Sequence, residues 1–288
     1  MIKYLFLMML FIINTMVFAQ PIIDIMNIKY SESPDAGLWR RNNQTNHFNN
    51  LNLNINLPII FKKDSSAIVI SPFAEFWKIK QQNASFLPDQ FQCLALQISY
   101  IKSISAKWTM TMSVIPRWNG YNDHLFDHSF QMGGALLTTY RRSSTLKYKF
   151  GIYYNGEFNG PFIMPLLGID WRIDSKNNLF GVLPGSLVWE HKVSNRFYYG
   201  CSFKAITNSY SAGIVNDKSY FIRIDDNQLQ IFSDIYCTKK IVVTFEAGHS
   251  VLRQLRLGYK NASEKYFQTQ KVNDDFIIKA GIAYRLRT

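Results

Sequence analysis

Apolar and polar residues take turns along most of this chain. Leu51-Asn52-Leu53-Asn54-Ile55-Asn56-Leu57 alternates without a fault, and Trp108-Thr109-Met110-Thr111-Met112-Ser113-Val114 repeats the pattern with hydroxyls in place of amides. A strand sends successive side chains to opposite sides, so each run has one oily face and one wet face. The same period of two recurs through residues 92–101, 146–154, 167–174, 197–205, 220–225, 228–236, 241–247 and 277–286. Helical periodicity is nowhere comparably strong, and the fold class predicted is all-β.

Such alternation suits a soluble sandwich, with its oily faces inward, or a membrane barrel, with those faces outward. Three features favour an antiparallel transmembrane β-barrel. Many runs approach the about 9–11 residues that a tilted strand needs to cross a bilayer. Asp170, Arg172, Glu190, Lys192, Lys204, Arg223, Asp225, Glu246, Lys279 and Arg285 fall on the wet phase, whereas Ile169, Trp171, Trp189, Phe203, Ile222, Ile224, Phe245, Ile282 and Tyr284 take the other. A Lys or Arg facing mid-bilayer costs about 2–4 kcal/mol, which accounts for that segregation. Trp77, Trp108, Trp118, Tyr140 and Trp189 stand toward the ends of runs, where an interfacial aromatic girdle belongs.

Connections alternate in length. Short ones fall at 62–66, 102–106, 141–145, 175–178, 194–196 and 238–240, and longer ones at 81–90, 119–128, 157–165, 207–218 and 253–275. Short periplasmic turns and longer outer loops give that rhythm. Keeping the parity makes 219–236 one strand with a bulge at Asp225-Asp226-Asn227. Pro184-Gly185 either turns a hairpin or bulges a single strand. A hairpin there, with a first strand near residues 24–30, gives about 14 strands; the alternative is 12.

Residues 1–19 carry one charge, Lys3, then an apolar run that closes on Val17-Phe18-Ala19. This is the pattern of a secretory signal peptide, and the run is short for a membrane-spanning helix. The expected division is a signal peptide at 1–19, an N-terminal segment at 20–50 holding the first strand, and the barrel at 51–288. The expected location is the cell outer membrane. Composition agrees: 47% hydrophobic and 15% aromatic residues exclude a disordered chain. The net charge of +12 asks for an anionic neighbour, which for an exported chain is outer-membrane lipid and not nucleic acid. Cys93, Cys201 and Cys237 are too few and too scattered for a disulfide framework or a metal knuckle, and no cofactor is expected.

Lys279-Ala280-Gly281-Ile282-Ala283-Tyr284-Arg285-Leu286 resembles the signal by which outer-membrane barrels present their last strand to the barrel assembly machinery. Lys279, Gly281, Tyr284 and Leu286 match it, while the closing Arg287-Thr288 departs from its usual aromatic end. Further inside, Pro165-Leu166-Leu167-Gly168-Ile169-Asp170-Trp171-Arg172-Ile173, Leu183-Pro184-Gly185-Ser186, Ala205-Ile206-Thr207-Asn208-Ser209-Tyr210, Arg223-Ile224-Asp225-Asp226-Asn227-Gln228-Leu229 and Glu246-Ala247-Gly248-His249-Ser250 stand together. With these runs the chain resembles an uncharacterised family of Gram-negative outer-membrane β-barrel proteins, common in Bacteroidota and catalogued as a domain of unknown function. The resemblance implies fold and compartment, but neither substrate nor reaction.

Chemistry is sparse. Asp123, His124, Asp127 and His128 form a weak metal candidate in an outer loop, with a polar loop tip as the plainer reading. His249 and Ser250 are a poor start for a lipase, because neighbours in a strand point to opposite sides, and the chain is not expected to be an enzyme. The wet-face charges Asp170, Arg172, Glu190, Arg223, Asp225 and Glu246 are more informative. Lining water, they make a filter for a passive channel or solute-uptake protein; paired off, they fill a closed structural or surface-interaction barrel, whose basic segment 253–271 meets an anionic partner. A charge at Ile169 or Phe245 is expected to block assembly, and one at Gly168 to be tolerated.

Overall fold

In the computed structural model the alternating runs are strands of one antiparallel sheet. The structure describes residues 22–33, 46–61, 63–81, 88–215, 218–260, 266, 268–271 and 274–287. The expected signal peptide lies outside them. The strand segments are β1 (Ile22–Ser33), β2 (Asn46–Ile55), β3 (Leu57–Phe61), β4 (Ser66–Gln81), β5 (Gln90–Ser103), β6 (Trp108–Tyr121), β7 (Phe130–Arg141), β8 (Leu146–Glu157), β9 (Gly160–Arg172), β10 (Asn177–Leu183), β11 (Ser186–Lys192), β12 (Phe197–Val215), β13 (Lys218–Tyr236), β14 (Ile241–Tyr259), β15 (Gln268–Lys271) and β16 (Phe276–Arg287).

These segments make 14 staves. β2 and β3 lie along β4 in one continuous register, interrupted only at Asn56. β15 and β16 likewise share one line along β14, from Gln254↔Lys271 to His249↔Phe276. β1 pairs with β16 and closes the barrel. Pro184-Gly185 turns a hairpin between β10 and β11, as the count of 14 requires. The wall begins at Ile22, so the segment set apart as 20–50 already contains β1 and half of β2.

At the end where β1 begins and β16 finishes, here the lower end, every connection has four residues. Five of them share one chemistry. Ser105, Ser143, Asp174, Ser194 and Thr238 each accept backbone N–H groups two and three residues on. A short oxygen-bearing side chain closes a turn this way without help from the rest of the fold. Just above, Trp108 packs on Tyr140 with ring centroids 4.8 Å apart, and Trp171 is exposed, so the lower girdle is present. Outward from the wall, Leu167, Ile231 and Phe245 are exposed; inward, Lys149, Asp170, Glu190, Gln230, Glu246 and Lys279 are buried. An apolar outer belt around a charged interior is the surface of a barrel that spans a membrane.

The upper half departs from the expected plan. Only Phe158 and Asn159 separate β8 from β9, so the long connection expected at 157–165 is a tight hairpin. The stretches read as loops at 207–218 and 253–275 are, among the described residues, mostly strand: β12, β13 and β14 have 19 residues each, against seven in β10 and in β11. The last tie between β12 and the short hairpin is Ala205 N–H donating to Gly185 C=O. Above it β12 leaves the wall and packs against β6 on the far side. Between β9 and β12 the upper wall therefore has a seam without strand pairing. The seam-side edge of β9 includes Pro161 and Pro165, which have no N–H to leave unpaired.

Two irregularities accompany the bend. Register slips between Asp225 and Asn227, where β14 holds the extra residue and Leu252 takes φ 58°. It slips again between Ser211 and Gly213, whose φ of 98° sets it against the Tyr121 ring. The upper parts of β12, β13 and β14, with β15 paired along β14, thus form a tongue inside the barrel mouth. One face packs Ile206, Tyr210, Ile222, Ile224 and Leu255 against Phe48, Trp77, Ile79, Phe91 and Cys93 of the opposite inner wall.

The structure corrects three expectations. Trp77 is interior and belongs to no girdle. Ile222 and Ile224, read as lipid-facing, are wholly buried in the lumen, and Arg223 and Asp225 take the tongue's other face. The alternation is intact there, but both faces of the tongue lie inside the barrel, so polarity no longer tells lipid from lumen. Gly168 faces inward, yet a Cβ there would meet the Gly181 carbonyl oxygen at 2.6 Å, so the expected tolerance of a charged side chain is withdrawn.

Candidate functional site

The lumen is the candidate site, and its charges are arranged by height. Near the lower end Arg287, from β16, crosses to β11 and places Nη1 2.9 Å from Glu190 Oε1 and Nη2 2.7 Å from Oε2. Its guanidinium lies 3.4 Å from the Tyr198 ring centre, and its Nε donates to Tyr236 Oη at 2.7 Å. Such a bidentate, stacked arginine is a fixed strut. Two strands along the wall from β11, Lys149 Nζ of β8 lies 2.8 Å from Asp170 Oδ1 of β9. Arg172 keeps the inward phase but stands exposed at the lower rim, apart from the others.

At mid-height Glu246 accepts from Lys29, and Lys279 Nζ is 3.8 Å from its other oxygen. Lys279 also donates to Gln228 Oε1 at 2.6 Å. Arg285 sits between Asp24 and Asp234, with Nη2 3.1 Å from Asp24 Oδ2. Lys29, Lys204, Lys279 and Arg285 line a cavity of about 220 Å³ together with Asn52, Asn54, Gln228 and Thr244. The assembly-signal residues divide as the alternation demands: Lys279 and Gly281 look inward, Tyr284 and Leu286 outward.

Higher still, the tongue is held by groups that the sequence did not single out. Glu75 of β4 accepts from Asn50 Nδ2 (3.3 Å), Asn208 Nδ2 (3.0 Å) and Tyr210 Oη (2.8 Å). On the other face Glu157 of β8 accepts from Asn155 Nδ2 (2.6 Å) and from Ser209 Oγ, while Gln131 Nε2 donates to the same Ser209 hydroxyl at 2.9 Å. At the root, Arg253 places Nε 3.1 Å from Asp226 Oδ1 and Nη2 3.2 Å from Oδ2, both side chains almost wholly buried, with the Phe48 ring 4.3 Å away. Arg253 is therefore a structural cation and not part of a basic surface loop. The only trace of Glu75 in the sequence is a lone acid inside the apolar run Phe73-Ala74-Glu75-Phe76-Trp77.

Arg223 and Asp225 pair with each other at 3.0 Å, and Arg256 approaches Asp225 at 3.2 Å. The six charges expected as one patch therefore fall into three groups, Asp170, Arg172 and Glu190 near the lower end, Glu246 at mid-height and Arg223 with Asp225 in the tongue, each charge with its own partner except the rim residue Arg172. Of the metal candidate, the structure brings together only His124 Nδ1 and Asp127 Oδ2, 2.7 Å apart and exposed; no group of three or more His, Cys, Asp or Glu converges among the described residues. His249 faces outward and Ser250 is buried inward, its Oγ donating to Asp275 C=O at 3.2 Å.

The profile of a domain of unknown function (DUF6268) matches residues 15–285. No curated protein matches the sequence. Among solved structures the chain is similar to the COG4313 outer membrane channel from Pseudomonas putida F1, with 10% identity, 92% of this chain and 94% of that chain covered, and a TM-score of 0.48. It is also similar to the NanC porin, at 6% identity over 91% of this chain and all of that one, with a TM-score of 0.41. The KdgM porin in complex with oligogalacturonate is similar at 8% identity over 90% and 98%, with a TM-score of 0.36.

Proposed function

Because the chain belongs to the DUF6268 family, whose function is unknown, we propose a role from the barrel itself: a porin-like protein of the outer membrane that passes small polar solutes, anions ahead of cations, through a lumen narrowed by its own in-turned strands. The observation that carries this reading is the mid-lumen cavity. Four cationic side chains line it, and the carboxylates beside it, Asp24, Asp234 and Glu246, are already engaged by them. A water-filled site of that polarity sets a barrier to cations and a shallow well for anions.

Conductance of the exported chain in a planar bilayer tests it. Small, stable steps that favour chloride over potassium are expected, with the preference reduced in Lys279→Gln and Lys204→Gln. A folded but electrically silent barrel would overturn the reading. The second reading, a closed structural barrel, has its own support in the paired charges: the Arg287–Glu190 strut and the Lys149–Asp170 pair leave those groups nothing further to bind.

A further inference from the structure

The mid-lumen cavity has a wall of amides as well as its cations. In Leu51-Asn52-Leu53-Asn54-Ile55-Asn56 the period of two sends the aliphatic side chains to the outer face and the carboxamides to the lumen. Asn52 and Asn54 of β2 line the cavity together with Asn27 of β1 and the Phe73 ring of β4. Asn52 Nδ2 donates to Asn50, and Asn56 Nδ2 donates to Asn54 Oδ1 at 3.0 Å. The Asn52 carbonyl oxygen, the Asn54 NH2 and the whole Asn27 amide keep no protein partner among the described residues. Lys204 is the second group left over. It enters the cavity from β12, and among the described residues nothing pairs with its ammonium or hydrogen-bonds to it. The carboxylates whose charge reaches it are engaged elsewhere: Glu75 by Asn208 and Tyr210, Asp226 by Arg253, and Glu246 by Lys29. Lys29, Lys279 and Arg285, by contrast, each have a carboxylate. An enclosed ammonium without a counter-ion is costly until an anion joins it.

One class of solute satisfies both sets of groups. A carboxylate answers the ammonium. Hydroxyls, which both donate and accept, answer a neighbouring amide NH2 and carbonyl oxygen, and the C–H face of a ring packs on Phe73. At about 220 Å³ the cavity is smaller than the about 300–1,000 Å³ of drug-sized sites and suits a single small ring. We propose that it binds one monosaccharide-sized sugar acid, with the carboxylate on Lys204 and the hydroxyls on Asn27, Asn52 and Asn54. The proposal rests on the reading of the lumen as open to solutes, and it narrows the preferred anion to a polyhydroxylated carboxylate. A bare anion leaves the amides to water, and a neutral sugar leaves the ammonium without a counter-charge.

Isothermal titration calorimetry of the refolded full chain in detergent micelles tests the proposal, with glucuronate, glucose and acetate as separate titrants. Unboiled gel mobility establishes folding of each variant first. Glucuronate should bind saturably, one per barrel, and glucose and acetate should bind more weakly by about tenfold or more. Lys204→Met should bring glucuronate down to the level of glucose and leave glucose unchanged, while Lys204→Arg should keep most of the affinity. Asn54→Ala should weaken glucuronate and glucose together and leave acetate as it was. No saturable glucuronate binding by a folded barrel would overturn the site, as would acetate binding equally tightly or glucuronate binding indifferent to Lys204→Met. Conductance of the same preparation separates this proposal from the channel reading. Anion-selective steps without glucuronate binding sink the sugar acid alone, whereas glucuronate binding to an electrically silent barrel keeps the site and sinks the passage of solutes.

Discussion

The lower and upper halves of this barrel are built from the same strands by different rules. Below the Pro184–Gly185 hairpin, backbone hydrogen bonds close the wall, four-residue turns repeat one chemistry, and the oily face of every strand meets lipid. Above it, the wall is closed by side chains: Glu75 and Glu157 grip the tongue from its two faces, the Asp226–Arg253 pair anchors its root, and an apolar core fills the mouth. The difference teaches that a strand's alternation fixes which residues share a face, while strand pairing decides what that face meets.

Removing the root pair is expected to have the largest effect. Asp226→Ala leaves a buried guanidinium without its partner, at a cost of about 3–5 kcal/mol, and should lower the denaturation midpoint of the folded barrel by a matching amount. An unchanged midpoint would mean that the tongue is anchored elsewhere. Next comes one substitution made in both halves. Phe245→Arg puts a charge against lipid at about 2–4 kcal/mol and should stop membrane assembly. Ile224→Arg should instead leave the barrel assembled and heat-modifiable but release the tongue, seen as larger conductance steps. The same outcome at both positions would erase the distinction between the halves.

A smaller change sharpens it. Tyr210→Phe removes one hydrogen bond to a buried carboxylate, worth about 1.5–3 kcal/mol, and should speed amide exchange in upper β12 while β5 and β6 keep their protection. Uniform acceleration would argue that the tongue and wall open as one unit. The smallest effect is expected at Lys260, just beyond β14, whose ammonium burial pushes down to about 8. Because the unfolded chain keeps that proton up to its ordinary value of 10.5, stability should rise as pH increases between the two. Lys260→Met should flatten that rise in a pH series of denaturation midpoints.

The lower half was legible in the sequence. Leu51 to Leu57 and Trp108 to Val114 announce period two, and the wet phase of Asp170, Glu190, Glu246, Lys279 and Arg285 is the lumen. The upper half was not, for physical reasons. Asn208, Ser209, Ser211 and Gly213 have the composition of a loop, yet they lie in β12 because Glu75, Glu157, Gln131, Lys260 and Tyr121 receive them, and those partners are far away in sequence. Pro161 and Pro165 also read as loop, although an edge without a neighbouring strand accommodates them. The bulge was expected at Asp225-Asp226-Asn227; the register does break there, but the extra residue belongs to the facing strand at Leu252.

The seam between β9 and β12 has a mechanical consequence. A ring of hydrogen-bonded staves has a girth set by its number of strands and their stagger. Where the overlapping margin of a rolled sheet replaces that ring, girth is set by how far one margin slides past the other. In the upper half that sliding distance is fixed by Ser209 against Glu157, Arg223 over the Phe162 ring and Gly213 against Tyr121. The mouth of this barrel is thus sized by a few side chains, and its base by the backbone.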